Sequence, residues 1–143
     1  PSKSTWVRVN YPAYGMLVNM VDKSIIEKVR QYLGLVRNAG VDVTSGVIYG
    51  SVARGEATED SDIDLLVLAP EFDSGKADSR IRLLWRLRQY ADSRIEPVAV
   101  GVREFEEDDA SPLIGAARRD GFMVSLPAVG MVGEEASDYG GTK

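Results

Sequence analysis

The sequence predicts an α/β (α+β) domain, a small mixed β-sheet with helices packed around it. Two observations carry this expectation. Short runs rich in β-branched and aromatic residues, at 46–49, 62–68 and 95–100, have the length and composition of strands. Around them lie longer stretches, at 22–38, 77–91 and 111–121, whose apolar residues recur at three-to-four spacing, as in helices that bury one face. With 143 residues the chain has the size of one domain. A chain of that size buries roughly 70% of its unfolded surface, enough for a core of its own.

Residues 1–21 read as an N-terminal extension: Trp6 to Tyr11 alternates weakly, as an edge strand would, and Gly15 to Val21 is apolar and leads into the first helix. The domain proper spans 22–126. Asp22 is placed to cap a helix whose core face is Ile25, Ile26, Val29, Tyr32, Leu33 and Val36. Gly40 is its left-handed terminator. Gly46 to Tyr49 is a buried strand that delivers Gly50 and Ser51 to the edge of the sheet. Pro70 to Asp78 reads as a loop, and the helix after it places Leu83, Leu84, Leu87, Tyr90 and Ala91 on its core face. Ile81 and Trp85 fall on its flank beside Arg88, while Arg82 and Arg86 face away from the core, either merely solvated or as a contact surface for an acidic partner or for phosphates. A Trp between arginines could also stack on a base. Arg103 to Ala110 is expected to be an acidic loop. Ser111 and Pro112 open the last helix as N-cap and first helical residue, Gly121 stops it, and Phe122 to Val124 supplies an edge strand. Residues 127–143 turn to Gly, Ala, Glu and Ser and are expected to be a flexible C-terminal tail.

The stretch from Gly50 to Val67 carries the chemistry. Side chains alternate along a strand, so Asp62 and Asp64 share one face while Ile63, Leu65 and Val67 take the other. Two neighbouring carboxylates repel unless a cation sits between them. Oxygen-only ligands suit a hard cation, Mg²⁺ or alternatively Mn²⁺. Upstream, Gly50 and Gly55 bracket a turn whose exposed amides can form an anion nest. Ser51 adds a hydroxyl, and Arg54 a charge that either touches phosphate or pins the turn through a carboxylate. Ser61 is placed to cap local backbone groups. Lys76 is a further candidate for approaching phosphate. A phosphate cradle beside a carboxylate pair suits phosphoryl or nucleotidyl transfer. Glu96, next to Pro97 in an apolar run, would be costly if buried without a partner, which an arginine such as Arg94 could supply.

Gly50-Ser51, ten residues, then Asp62-x-Asp64 resembles the signature of the DNA polymerase beta-like nucleotidyltransferases. The fuller string GSVARGEATEDSDIDLLV is similar to that of the minimal nucleotidyltransferases, often the antitoxin partners of helical HEPN toxins. The resemblance implies the nucleotidyltransferase fold, ATP as donor and two Mg²⁺ ions held by Asp62, Asp64 and, as the third acidic residue on the next core strand, Glu96. Gly50, Ser51, Arg54 and Ser61 would serve the nucleotide. It also implies transfer of AMP to a tyrosine hydroxyl of a HEPN-type protein. A module acting by contact alone, or transfer to a small-molecule alcohol, is the alternative; a homo-oligomer is another way to complete an acceptor site.

Composition narrows the chemistry further. There is no histidine and no cysteine, so acid–base work falls to carboxylates, Lys, Tyr or water, and thiolate or imidazole metal sites are excluded. A net charge of −5 argues against a general nucleic-acid surface. No apolar run has transmembrane length and no signal segment is visible, so a cytoplasmic protein without membrane contact is expected.

Overall fold

A computed structural model describes residues 6–10, 18–75 and 77–127, with side chains from residue 21 onward. Strands β1 (Trp6–Asn10) and β2 (Val18–Asp22) pair antiparallel as a separate two-stranded sheet. Helix α1 (Lys23–Asn38) follows without a linker, because the Asp22 carboxylate that ends β2 accepts from the Ser24 amide at 2.8 Å and its hydroxyl at 2.9 Å. Of the stretch expected to lead into this helix, residues 15–17 lie outside the described residues, and Val18 to Val21 lead in as part of a strand. Its valines suit a paired, extended chain.

The main sheet has four strands in the order β5-β4-β3-β6. These are β3 (Ser45–Tyr49), β4 (Ile63–Leu68), β5 (Ile95–Val100) and β6 (Phe122–Ser125). β4 runs antiparallel to β3 and parallel to β5, and β6 pairs antiparallel with β3, so the mixed sheet expected from the sequence is present. β4 is central and buried on both faces. Ile63, Leu65 and Val67 pack with Ile26, Val29, Leu33 and Val36 of α1. Leu66 and Leu68 meet Phe105, Ile114 and Ala117 on the opposite side. Pro97 is tolerated because β5 is an edge strand. Among the described residues no helix is long and apolar enough to cross a membrane.

Three segments depart from expectation. Pro70–Ser74 is a short 3₁₀ helix, not a loop, ending at Gly75 with φ +85°. Val102–Glu107 is helix α3, which takes up the first half of the acidic loop expected over Arg103 to Ala110. Its start is capped from a distance: Asp73 accepts from the amides of Arg103 and Glu104, both at 3.0 Å, and Glu104 Oε1 accepts from the Gly101 amide at 3.0 Å. A carboxylate at the head of a helix also meets the favourable end of its dipole. The partner lies some thirty positions away in the chain, so no local pattern announces it. Helix α2 (Ala77–Leu87) hands over to a 3₁₀ turn at Arg88–Tyr90, and this change of winding swings Tyr90 out to 65% exposure instead of into the core. Only Leu84 of α2 is fully buried, with Leu83, Leu87 and Ala91 packed at its margin. Helix α4 (Pro112–Asp120) has the predicted Ser111 cap and stops at Gly121. Lys76 and 128–143, most of the expected tail, lie outside the described residues.

Tyr32 ties α1 to α2: its buried hydroxyl donates to the Leu84 carbonyl at 2.6 Å. Burial pushes its pKa well above the usual phenol range, so it stays a donor. Tyr32→Phe is expected to lower the unfolding free energy by about 1 kcal/mol, read as a reduced urea midpoint at unchanged slope.

Candidate active site

Three residues stand side by side across the sheet. Asp64 on β4 pairs with Tyr49 on β3 and with Glu96 on β5. All are half-buried, on the face that α3 and α4 cover only toward the other end of the strands. Asp62 sits just ahead of β4, two positions before Asp64.

Position 50 has to be glycine for two reasons. Its φ is +76°, and a Cβ there would overlap Oδ2 of Asp64. The Asp64 carboxylate thus lies against the backbone of the turn. That turn is wound by bonds from the Arg54 amide to the Gly50 carbonyl at 3.2 Å and from the Glu56 amide to the Ser51 carbonyl at 2.9 Å. It is anchored by the side chains of Val52 and Ala53, which are buried. The amides of Ser51, Val52 and Ala53, at the head of the turn, have no backbone acceptor among the described residues.

The acidic side chains are close enough to shift one another's titration. Burial raises the pKa of Asp64, Asp62 raises it further, and Arg54 opposes them. Glu96 is raised chiefly by a hydrogen bond shared with the Asp62 carboxyl, then by burial and by the charges of Asp62 and Asp64, with Arg88 opposing. Tyr49 is pushed up to about 12 by burial and by the same two neighbours, Asp64 and Glu96. Its hydroxyl therefore stays protonated beside the acids.

Of the residues singled out from sequence, Asp62, Asp64, Glu96, Gly50 and Ser51 come together at this end of the sheet. Arg54 pairs with Glu56 at 3.1 Å, and its charge is still felt by Asp64. Ser61 caps the turn before β4: its hydroxyl accepts from the Thr58 amide at 2.9 Å. Arg94 is held by Asp92 through two bonds of 3.0 and 2.7 Å, which leaves Glu96 to the acidic cluster. Arg94 also donates to the Glu59 carbonyl at 2.9 Å, and its own carbonyl accepts from the Ile63 amide at 2.8 Å. It thereby fastens the linker carrying Asp62 to the start of β5. Sequence reasoning did not pick out Tyr49 or Arg94 for the site. The position of Tyr49 one residue before Gly50 was the available signal, and it acquires meaning only once the register is known.

An all-oxygen donor set of neighbouring carboxyls suits a hard divalent cation, and Asp62, Asp64 and Glu96 are the residues that would hold it. Among the described residues, no group of three or more potential ligands is already drawn into a finished cage. Ligand binding would therefore have to gather these side chains.

A family model for the nucleotidyltransferase domain matches residues 23–119. The chain belongs to that family. A proposed protein adenylyltransferase of Methanocaldococcus jannaschii is 33% identical over 103 residues, covering 69% of this chain and 65% of the relative. The chain thus spans about two thirds of that relative's length. The crystal structure of a proposed nucleotidyltransferase from Sulfolobus solfataricus superposes with a TM-score of 0.51 at 17% identity, covering 70% of this chain and 80% of the other. That likeness bears on the fold alone.

Two stability measurements check the geometry. Gly50→Ala is expected to cost on the order of 2 kcal/mol from the positive φ and the overlap with Asp64. In an Asp64→Ala background the overlap disappears and the cost shrinks, so the two changes are non-additive in a double-mutant cycle. Asp92 is held below the usual carboxylate range, first by its hydrogen bond from Arg94. A depressed folded-state pKa contributes stability above the unfolded pKa, and that contribution is lost as pH falls through the folded one. Asp92→Asn is accordingly expected to lose about 1 kcal/mol at neutral pH, with the difference from the parent closing in acid, as followed by urea unfolding across pH.

Proposed function

We propose that the chain transfers AMP from ATP to a hydroxyl group on a partner protein. The observation that carries this is the row of Asp64 and Glu96 in register, joined by Asp62, directly against the Gly50–Ser51 turn. The sheet order sets out the work in sequence: the turn follows β3, the aspartates open β4, and Glu96 begins β5. Triphosphate would lie on the turn, where Ser51 and the amides at its head would donate to phosphate oxygens. Asp62, Asp64 and Glu96 would hold Mg²⁺, or Mn²⁺ in its place. When bound, such a cation offsets the triphosphate charge and makes an acceptor hydroxyl easier to deprotonate.

The acceptor hydroxyl enters on the remaining side, that of Glu96. Its oxygen forms a bond to the α-phosphorus, the bond to the bridging α–β oxygen breaks, pyrophosphate leaves and the hydroxyl proton passes to solvent. Asp64 is held in place by the Gly50 backbone, so the carboxylate is positioned before substrate arrives. Tyr49 stays protonated at neutral pH and serves as wall and donor rather than as the modified hydroxyl.

A protein acceptor is supported by the M. jannaschii relative, which is named as a proposed protein adenylyltransferase. The resemblance of the motif to minimal nucleotidyltransferases favours a HEPN-type toxin as that acceptor, which would make this chain the antitoxin.

The test is incubation with ATP labelled on the α-phosphate, Mg²⁺ and the protein encoded beside it. Label is expected to stay on that protein and to fall about 10³-fold for Asp64→Asn, equivalent to several kcal/mol of transition-state stabilisation. Label appearing only on a low-mass alcohol, or inhibition of the partner that survives Asp64→Asn unchanged, would remove the proposal.

A further inference from the structure

The C-terminal half of α2 carries a surface that the site does not use. Ile81 and Trp85, one helical turn apart, are 44% and 40% exposed, and Tyr90 beyond the helix end is 65% exposed. Large apolar side chains clustered this way on a surface mark an interaction site more often than chance exposure does. Cations flank them. Arg82 and Arg86 are exposed and make no ion pair among the described residues. The Arg88 guanidinium lies over the Trp85 ring at 4.5 Å and is fixed by bonds to the carbonyls of Ser93 at 2.8 Å and Ile95 at 3.0 Å. Trp and Arg held rigidly in this way lose little freedom on binding, as anchors of interfaces do.

Position gives the patch a direction. Arg88 donates to the residue immediately before Glu96, and its charge is felt by Glu96. β5 is the edge of the sheet away from the Gly50 turn. The Arg88 end of the patch therefore lies at the β5 edge next to Glu96, the side proposed for acceptor entry, although α2 itself packs on the other face of the sheet. Its charge is also opposite to that of the chain, which has a net charge of −5. A patch this small, next to acidic groups, does not suit the long backbone track of a nucleic acid. Its apolar components call instead for side chains.

We propose that this face, formed by Ile81, Arg82, Trp85, Arg86, Arg88 and Tyr90, docks an acidic segment bearing apolar side chains on the protein that carries the acceptor hydroxyl. The proposal rests on the adenylyl-transfer reading for the identity of its partner, but not for its physics. Arg82 and Arg86 steer and select by charge, and the Trp85–Arg88 stack receives an apolar side chain.

Binding in the absence of nucleotide separates the two. Fluorescein-labelled peptides built from Glu, Leu and Tyr, or from Lys, Leu and Tyr, and a single-stranded RNA oligonucleotide of equal length, are titrated with the full chain and followed by anisotropy. The acidic peptide is expected to bind about tenfold more tightly than the basic one. Arg82→Glu/Arg86→Glu, two exposed changes whose folding is checked by circular dichroism, should reverse that order. Equal binding of the two peptides, an acidic preference that survives the double substitution, or tighter binding of RNA would overturn the docking surface. So would sedimentation showing a dimer of the chain that the double substitution dissolves, since the patch would then be occupied by a second copy. Charge-selective binding without label transfer would count against the transferase reading alone, whereas transfer to the partner with a KM unmoved by the double substitution would count against the surface alone.

Discussion

The carboxylate of Asp64 occupies the space that a side chain at position 50 would fill, and much of the rest follows from that contact. It needs a left-handed glycine at the end of β3, with φ +76°. It needs β3 and β4 paired so that Tyr49 faces Asp64. It also needs the turn to be rigid, which burial of Val52 and Ala53 provides. A hydrophobic strand is used here to hold a charged group in one place. β4 carries Asp64 at its second position, and every residue of the strand after Asp64 is buried.

Assembling acids this way works against stability. A hydrogen bond with Asp62, burial and the charges of Asp62 and Asp64 raise the pKa of Glu96, and burial together with Asp62 raises that of Asp64. In a fold that gained nothing from it, such a group would be an unrelieved conflict between local sequence and packing, and conflicts of that kind gather where function is carried. The fastening of Arg94 by Asp92 shows the complementary arrangement: a well-paired ion pair joins the linker carrying Asp62 to β5.

The two faces of the sheet are treated differently. One is sealed by α1 and α2. The other is covered by α3 and α4 only over Val47, Leu66, Leu68 and Val100, which leaves Tyr49, Asp64 and Glu96 half open. The covering helix α3 exists because Asp73, in a segment that looks like a plain loop, reaches across to cap it. The same region accounts for the misplaced expectations: periodicity assigns helices by their apolar face, and α3 buries only Phe105. Tyr90 departs for the opposite reason, since its spacing suits the α2 core face only if the winding stays α-helical through to Ala91.

Sequence alone determined the parts governed by local chemistry. These are the Asp22 and Ser111 caps, the left-handed Gly40 and Gly50, the alternation that separates Leu66 and Leu68 from Ile63, Leu65 and Val67, and the spacing of Gly50-Ser51 from Asp62 and Asp64. Each depends on a few adjacent residues and a fixed backbone period. Tertiary structure decided that Glu96 stands opposite Asp64 rather than bonding Arg94, that Tyr49 closes the row, that Asp73 builds α3 and that Trp85 with Arg88 remains at the surface beside the site. Those outcomes depend on strand register and on partners distant in the chain, which no local pattern encodes.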